Sequence, residues 1–368
     1  MLRLIATTAV CLLSWPSYGS ETARPRPAGK ESPDFRAAPV VSIGARVVSV
    51  PWDAKLAFTG QPGKGAWHAK LPTPESPAMA AVDVGRGPSR LLLSWVASGN
   101  PEYLDTTYGG PGSYRIETSA DSTDGKDGTW KTVVTVTGNL VMNRAHSFDF
   151  TGQRWARMVL TGPTPKTYKY GIQLDEILLH DVSNGTDDSW IFVGDSITAE
   201  IFRLTPAHQP SFPQLVQKVA PAYRPVVLRA GVGFFKSENL LEQLPAWLAL
   251  NPDIQQWAIL IGSNDPNDQP YQMRSFREHL EAIVIRLQAA GKRPILARIP
   301  FSTGKDVRNL NEQIDAVVKK FKLHPGPDLY AWFKAHPDQL RDGLHANDEG
   351  ARSVQRLWVA TMLDLYPH

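Results

Sequence analysis

Three short polar segments in the second half of the chain contain the residue types that covalent ester hydrolysis requires. They read Gly-Asp-Ser at 194–196, Gly-Ser-Asn-Asp at 262–265 and Asp-Gly-Leu-His at 342–345. A serine hydroxyl becomes a nucleophile when an imidazole accepts its proton, and a carboxylate holds that imidazole in the correct tautomer. Ser196, His345 and Asp342 are therefore the candidate catalytic residues, and a single turn can present Asp342 and His345 together.

The tetrahedral intermediate of such a reaction also needs hydrogen-bond donors that already point at its oxyanion. Two candidates are the backbone N–H of Ser196 and the side-chain amide of Asn264, because each residue follows an apolar, strand-like run. The sequence thus supplies a nucleophile, a base, an orienting carboxylate and two donors for one reaction.

Each of these residues also has a structural interpretation. Ser196 could be a helix N-cap, a common use of serine, and Asp265 could hydrogen-bond its own turn. Asp195 is interpreted as a structural residue of the turn. The Gly-x-Ser-x-Gly motif of α/β-hydrolases is absent around Ser196, and no His, Cys, Asp or Glu cluster has metal-ligand spacing. We therefore expect neither a metal nor a cofactor.

The elements that must position these residues alternate between strand-like and helical patterns from Trp190 onward. Apolar runs at 190–193, 226–229, 257–261 and 294–298 are separated by helical patterns at 212–219, 238–248 and 271–290, and Asn347 is a plausible N-cap for a closing helix. This alternation predicts an α/β fold with a mostly parallel sheet and helices on both faces. The polar segments fall at the carboxyl ends of its strands, where ligands bind.

The order and spacing of the three segments resemble the motif blocks of the SGNH hydrolases, also called the GDSL family, over residues 189–365. The resemblance implies a flavodoxin-like three-layer domain and metal-independent hydrolysis through a Ser196 acyl-enzyme. It also implies a third oxyanion donor, a backbone N–H in the segment 229–235. That segment departs from the family pattern, which begins with Asn and ends with a Gly pair, so Gly233 and Phe234 both stay open as the donor. A phenyl ring there should narrow or re-aim the acyl pocket.

The first half of the chain has a shorter, β-like pattern. Runs rich in β-branched and aromatic residues, such as 90–96, 113–118, 130–136, 154–160 and 173–179, are separated by Gly, Pro, Asn and Asp clusters. Several short strands at this spacing predict an all-β sandwich.

This half resembles the galactose-binding, discoidin-type jelly roll, and the resemblance implies carbohydrate binding. Six aromatic residues have loop-like surroundings and could stack on a sugar: Trp52, Trp67, Tyr103, Tyr108, Tyr168 and Tyr170. Any of them could equally fill the sandwich core.

The predicted domain order is a signal peptide at 1–19, a flexible linker at 20–39, the β-sandwich at 40–185 and the hydrolase domain at 186–368. Arg3 and the apolar run that follows it are typical of a secretory signal, so we expect export to the periplasm or the medium. Cys11, the only cysteine, lies in that signal, so the mature chain would lack disulfides. A net charge of +3 does not favour a nucleic-acid or membrane-surface partner, and the apolar run at 4–13 is too short for stable membrane insertion.

Together these features predict an exported serine esterase that removes O-acetyl groups from a polysaccharide or oligosaccharide. A lipase, lysophospholipase or thioesterase would use the same residues, and a sugar O-acyltransferase or a non-catalytic sugar-binding protein stays open. The polymer, the acetylated position, the acyl-chain preference and the oligomeric state are not set by the sequence.

Overall fold

The structure, a computed structural model, describes residues 35–60, 66–97, 109–164, 171–202 and 210–366. The expected signal peptide, linker residues 20–34, Tyr103, Tyr108, Tyr168 and Tyr170 lie outside the described residues. Contacts between Cα atoms group Asp34–His368 as one unit. Within that unit the β-rich half and the α/β half are built from separate sheets.

The β-rich half consists of two antiparallel sheets. Its strands are β1 (Arg46–Val50), β2 (Trp67–Ala69), β3 (Ala78–Asp83), β4 (Arg90–Ala97), β5 (Pro111–Ser119), β6 (Lys131–Val136), β7 (Asn143–Asp149), β8 (Trp155–Pro163) and β9 (Ile172–Asp181). One sheet has the order β1-β3-β8-β5-β6 and the other β2-β9-β4-β7. Apolar residues from both sheets form one core, which confirms the predicted sandwich.

The core of the sandwich includes one of the rings that the sequence offered to a sugar. Trp67 is fully buried, with no exposed surface, and Trp52 packs against the same cluster. The expectation of a sugar-stacking role for Trp67 is therefore wrong. Trp67 lies on β2, whose alternating burial pattern turns the indole inward.

The α/β half contains a five-stranded parallel sheet of order β11-β10-β12-β13-β14. Its elements are β10 (Ser189–Gly194), α1 (Ser196–Glu200), α2 (Phe212–Val219), β11 (Val226–Gly231), α3 (Ser237–Leu250), β12 (Gln256–Leu260), α4 (Pro270–Ala289), β13 (Arg293–Arg298), α5 (Arg308–Phe321), β14 (Pro325–Asp328), α6 (Leu329–Ala335) and α7 (Asp348–Leu363). The predicted three-layer fold is confirmed, whereas α5, β14 and α6 are not anticipated from the sequence.

The parallel sheet is buried on both faces, which is why its strands read as continuous apolar runs. All residues of β10 are buried. Ile191 and Val193 belong to the cluster formed with α3, α4 and α5, and Trp190 and Phe192 belong to the cluster formed with α2, α6 and α7. Because successive side chains of a strand point to opposite faces, one short run joins both helical layers.

The segment before the sandwich packs on the α/β half. The Phe35 ring is buried and contacts the Tyr366 ring at a centroid distance of 4.8 Å. The Arg36 N–H donates to the Asp187 carboxylate at 3.2 Å. The last residues of the expected flexible linker, 35–39, are therefore held in place, since a buried aromatic ring outweighs their polar composition.

An asparagine joins the two halves at their sheet edges. The Asn143 amide on β7 donates to the Arg229 carbonyl at 3.1 Å, and its Oδ1 accepts from the Arg229 N–H at 2.6 Å. The Arg229 guanidinium is buried and donates to the carbonyls of Ala97 and Phe202. The outer edge of β11 is thus paired with the sandwich.

A buried carboxyl at the amino-terminal edge of the parallel sheet gives a pH-dependent stability prediction. Burial raises the pKa of Asp188 to about 7, although Tyr366 and Trp190 donate hydrogen bonds to its Oδ1. A raised pKa in the folded state means that stability is fully present below the unfolded pKa of about 3.9 and is lost as pH rises toward 7. Asn at this position keeps the acceptor and cannot ionise.

We therefore expect Asp188→Asn to gain stability relative to the unsubstituted protein as pH rises from 4 to 7. The relative gain should be roughly 1–4 kcal/mol in urea unfolding. The exposed Asp53, changed to Asn, is the matched control and should give a parallel pH curve. Parallel curves for Asp188→Asn as well would contradict the prediction.

Candidate functional site

Ser196 follows β10, the strand at which the order of strands in the sheet changes direction. Strand β10 pairs with β11 on one side and with β12 on the other. The chain therefore first crosses to one side of β10 to form β11 and then crosses back to the other side to form β12. This change of direction leaves a crevice at the carboxyl end of β10. Gly194 ends β10, and a Cβ atom there would collide with the Leu260 carbonyl and the Thr198 hydroxyl. Glycine lets β10 approach β12 closely and turn directly into α1.

The residue that caps α1 is Asp195. Its side chain accepts from the Ile197 N–H at 3.0 Å, and it also accepts a hydrogen bond from the Ser263 hydroxyl. Burial raises the pKa of Asp195 to about 6, although the hydrogen bonds from these donors act to lower it. The interpretation of Ser196 as an N-cap is therefore wrong, because the cap is already supplied one residue earlier.

The structure brings Ser196, His345 and Asp342 together. Ser196 Oγ lies 2.9 Å from His345 Nε2, across 149 residues of sequence. The other ring nitrogen, Nδ1, lies 2.8 Å from Asp342 Oδ2. A hydroxyl, an imidazole and a carboxylate thus form a continuous hydrogen-bonded chain, which can move a proton away from the serine oxygen.

The turn at 342–345 fixes the carboxylate by its own backbone. Asp342 Oδ1 accepts from the N–H groups of Leu344 at 3.0 Å and His345 at 2.7 Å. Burial acts to raise the pKa of Asp342, but the hydrogen bonds from His345 and Leu344 outweigh it and lower the pKa to about 2. The carboxylate is therefore charged at any pH at which an esterase would be assayed.

Salt bridging attaches this turn to α1. Arg341 donates to Glu200, whose side chain is almost buried. A cavity of about 360 Å³ opens beside the pair and is lined by Glu200, Arg341, Ala346, Asn347, Asp348, Glu349 and Ala351. Its lining includes Ala346, the residue after His345, but not Ser196, His345 or Asp342 themselves.

Two further candidate donor segments follow the strands on either side of β10, which are β11 and β12. Asn264 follows β12, and its Nδ2 donates to the Phe235 carbonyl at 3.0 Å, which leaves the second N–H of that amide available. The N–H groups of Gly233 and Phe234 have no acceptor among the described residues. Both stay open as the third donor.

The turn that carries Gly233 adopts an unusual backbone conformation. Phe234 has φ +63° and is 78% exposed. A left-handed conformation costs a residue with a Cβ about 1–2 kcal/mol. Phe235, by contrast, is partly buried and packs against the core. The Phe234 ring therefore faces solvent and does not fill the acyl pocket. This corrects the expectation that the ring narrows that pocket.

Buried polar contacts behind the site hold the donor segments together. The Asp265 carboxylate accepts from the Ser237 N–H at 2.9 Å and from the Ser237 hydroxyl at 2.5 Å, and that hydroxyl lies 2.9 Å from His279 Nδ1. Ser237 is fully buried, so this second Ser, His and Asp group joins the start of α3 to the loop of Asn264. The side chain of Asp265 thus bonds another segment and not its own turn.

Lys305 is a site residue that sequence reasoning missed. Its Nζ donates to the carbonyl of Ser263 at 3.1 Å and to the carbonyl of Asp265. The two carbonyls flank Asn264, so one ammonium group fixes the backbone on both sides of the candidate donor. No sequence signal marks Lys305, because it is 42 residues from Ser263 and belongs to a loop without periodicity.

Within the described ranges there is no group of three or more His, Cys, Asp or Glu side chains that could hold a metal ion. In the same part of the chain no helix has the length and apolar character needed to cross a bilayer.

Residues 192–352 match the model of the GDSL-like lipase/acylhydrolase family, and Ser196, Asn264, Asp342 and His345 all lie inside that match. The second half of the chain thus contains a region that matches the GDSL-like family, and the parallel sheet and the site lie largely within that region. No curated protein matches the sequence.

Several solved structures are similar. A lipase/acylhydrolase from Enterococcus faecalis is 24% identical, with a TM-score of 0.39 over 47% of this chain and 94% of that chain. A protein from Bacillus subtilis is 18% identical, with a TM-score of 0.44 over 78% and 80%. An acetylxylan esterase from Geobacillus stearothermophilus is 18% identical, with a TM-score of 0.40 over 48% and 95%. Similarities of this size do not define a substrate.

Proposed function

We propose that this protein is an exported serine esterase that hydrolyses short acyl esters, chiefly O-acetyl groups, on polysaccharide. The observation that carries the proposal is the chain of hydrogen bonds from Ser196 through His345 to Asp342, at 2.9 and 2.8 Å. These distances are those of a nucleophile and base ready for proton transfer.

In the proposed reaction Ser196 Oγ attacks the ester carbonyl carbon while His345 Nε2 takes the hydroxyl proton. The Asp342 carboxylate holds the Nδ1 proton and stabilises the imidazolium that forms. His345 then returns its proton to the leaving sugar oxygen, which departs as an alcohol. Water, deprotonated by the same imidazole, hydrolyses the acyl-enzyme and releases the acid.

Three donors would stabilise the oxyanion in both steps: the Ser196 N–H, the Asn264 amide, and the N–H of Gly233 or Phe234. They follow the ends of three adjacent strands, β11, β10 and β12. Such preorganised donors stabilise developing charge more than water does.

A carbohydrate substrate is supported by two features. A cavity lined by Glu200, Arg341 and the residues just after His345 carries charged and amide side chains, which can hydrogen-bond hydroxyl groups. The β-sandwich resembles carbohydrate-binding modules, and the amino-terminal sequence resembles a secretory signal, which would place the enzyme with extracellular polymers.

Acetate release from a panel of acetylated xylan, glucomannan, pectin and peptidoglycan tests the substrate class. Labelling of Ser196 by a fluorophosphonate tests the mechanism in parallel. Acetate release together with labelling supports the proposal. A preference for long acyl chains in a p-nitrophenyl ester series would favour a lipase or thioesterase instead. Ester transfer to added sugar without free acetate would indicate an acyltransferase, and neither label nor release would indicate a binding protein.

Removing the side-chain donor should slow the chemistry without abolishing it. We expect Asn264→Ala to lower kcat about 10²–10³-fold with a small change in KM, since one oxyanion donor is lost. Steady-state kinetics on p-nitrophenyl acetate provide the measurement. The matched control is Asn251→Ala. The Asn251 amide donates to the Trp247 carbonyl at the opposite end of the sheet. A change confined to KM would show that Asn264 binds the ground state and the transition state equally, which would contradict a role as an oxyanion donor.

Loosening the loop of Asn264 should have a smaller effect of the same kind. We expect Lys305→Met to lower kcat about 10-fold, because misplacing a donor by a fraction of an ångström already costs rate. Lys305→Arg should recover part of the loss. Lys292, a lysine that donates to the Pro252 carbonyl far from the site, is the control when changed to Met. Equal kcat values for the two Met variants would refute a positioning role for Lys305.

A further inference from the structure

We infer that the ring of Phe234 is a stacking platform for the sugar ring that carries the ester, placed beside the oxyanion donors. The inference rests on the proposed function and names the part of the substrate that this position recognises. It starts from two properties of Phe234 that do nothing for the fold: the backbone is left-handed and the ring is 78% exposed. Strained residues that surrounding structure retains are concentrated at binding sites.

Residues on both sides of Phe234 contact segments that carry the site. The next residue, Phe235, accepts a hydrogen bond from Asn264 at 3.0 Å through its carbonyl. Two residues earlier, the Val232 N–H donates to the Gly194 carbonyl at 2.9 Å, which holds the turn over the strand end that leads to Ser196. Phe234 thus belongs to the short segment between these two contacts, and the proposal places the sugar of a bound ester beside its exposed ring.

The surroundings of the ring favour a sugar over an acyl chain. Phe235 packs inward, and the next side chain, Lys236, is exposed and cationic, so Phe234 forms an open apolar face with a polar neighbour. A pyranose has one face of C–H groups and a rim of hydroxyls, so one flat apolar surface and nearby polar groups suffice to bind it. An acyl chain gains from burial in proportion to the area removed from water, and an open face encloses little of it.

The test compares Phe234→Ala, Phe234→Gly and Phe234→Trp on two small substrates: glucose pentaacetate, which carries the sugar ring, and p-nitrophenyl acetate, which does not. We expect Ala and Gly to raise KM for glucose pentaacetate about 3- to 10-fold, the size of one lost aromatic contact. The Trp variant should keep the KM of the unsubstituted protein. Because the Phe234 N–H is also a candidate oxyanion donor, the loss of each Ala and Gly variant on p-nitrophenyl acetate serves as its reference, and the loss in kcat/KM on glucose pentaacetate should exceed that reference about 3- to 10-fold. Ile285→Ala, which truncates an exposed apolar side chain on α4, should change neither substrate.

Three results would overturn the inference. Equal losses of kcat on both substrates would mean that Phe234 only shapes the oxyanion turn. A selective loss on p-nitrophenyl hexanoate would assign the ring to the acyl chain. An unchanged KM for glucose pentaacetate in Phe234→Ala, with normal turnover by the unsubstituted protein, would refute the platform but leave the esterase proposal intact. If the unsubstituted protein hydrolyses neither ester, the proposed function fails and this inference with it.

Discussion

Changing Ser196 to Ala, or His345 to Ala, should each lower kcat on p-nitrophenyl acetate by about 10⁴-fold or more, because nucleophile and base act as one unit. Ala at 196 removes the attacking oxygen but keeps the backbone N–H, so some catalysis by the oxyanion donors should survive. The double variant should be scarcely slower than either single one. Steady-state kinetics and fluorophosphonate labelling together provide the measurement.

Two controls separate chemistry from folding in that experiment. His68 is exposed on β2, and His68→Ala should retain full activity. Thermal unfolding should show that the Ser196 and His345 variants remain folded. Additive losses in the double variant would argue against a shared step, and full activity in either single variant would exclude the acyl-enzyme mechanism.

Changing Asp342 to Asn should lower kcat about 10³–10⁴-fold while the turn stays in place. The Asn carbonyl can still accept from Leu344 and His345 N–H groups, but its NH₂ would face His345 Nδ1. That ring nitrogen would then accept a hydrogen bond, Nε2 would carry the proton, and Ser196 could no longer be deprotonated. Asp364→Asn, at the exposed end of α7, is the control.

The pH–rate profile offers an independent check on this carboxylate. The pKa of Asp342 is about 2, so the group stays charged through the assay range and contributes no inflection there. An inflection within the assay range would therefore belong to another group. A profile for Asp342→Asn that matches the unsubstituted protein in height would contradict the orienting role.

Sequence reasoning succeeded where a local pattern decides the structure. The apolar runs at 190–193 and 226–229 predicted buried parallel strands because no solvent-facing side of such strands exists. Asn347 predicts a helix start, and its side chain does accept from the N–H groups of Glu349 and Gly350. This contact spans only three residues, so a local pattern is enough to predict it. Gly194 predicted a tight strand-to-helix turn for a similar local reason.

Sequence reasoning failed where packing between distant segments decides the structure. Lys305 bonds carbonyls about 40 residues away, and no periodicity marks such a contact. Composition places Phe35 in a flexible linker, although the contact of its ring with the Tyr366 ring holds it in place. The left-handed φ of Phe234 is equally hidden, since a residue with a Cβ predicts an ordinary backbone.

The pairing of Asn143 with Arg229 has a consequence for experiments that dissect the chain. A hydrolase fragment beginning near residue 184 would lose both hydrogen bonds that this amide makes to β11, and the acceptor at Ala97 as well. Its outermost strand would then present unsatisfied peptide groups to other molecules, a template for intermolecular strand addition. We therefore expect such a fragment to self-associate more readily than the full chain, and polymer specificity is better probed by point changes than by excision.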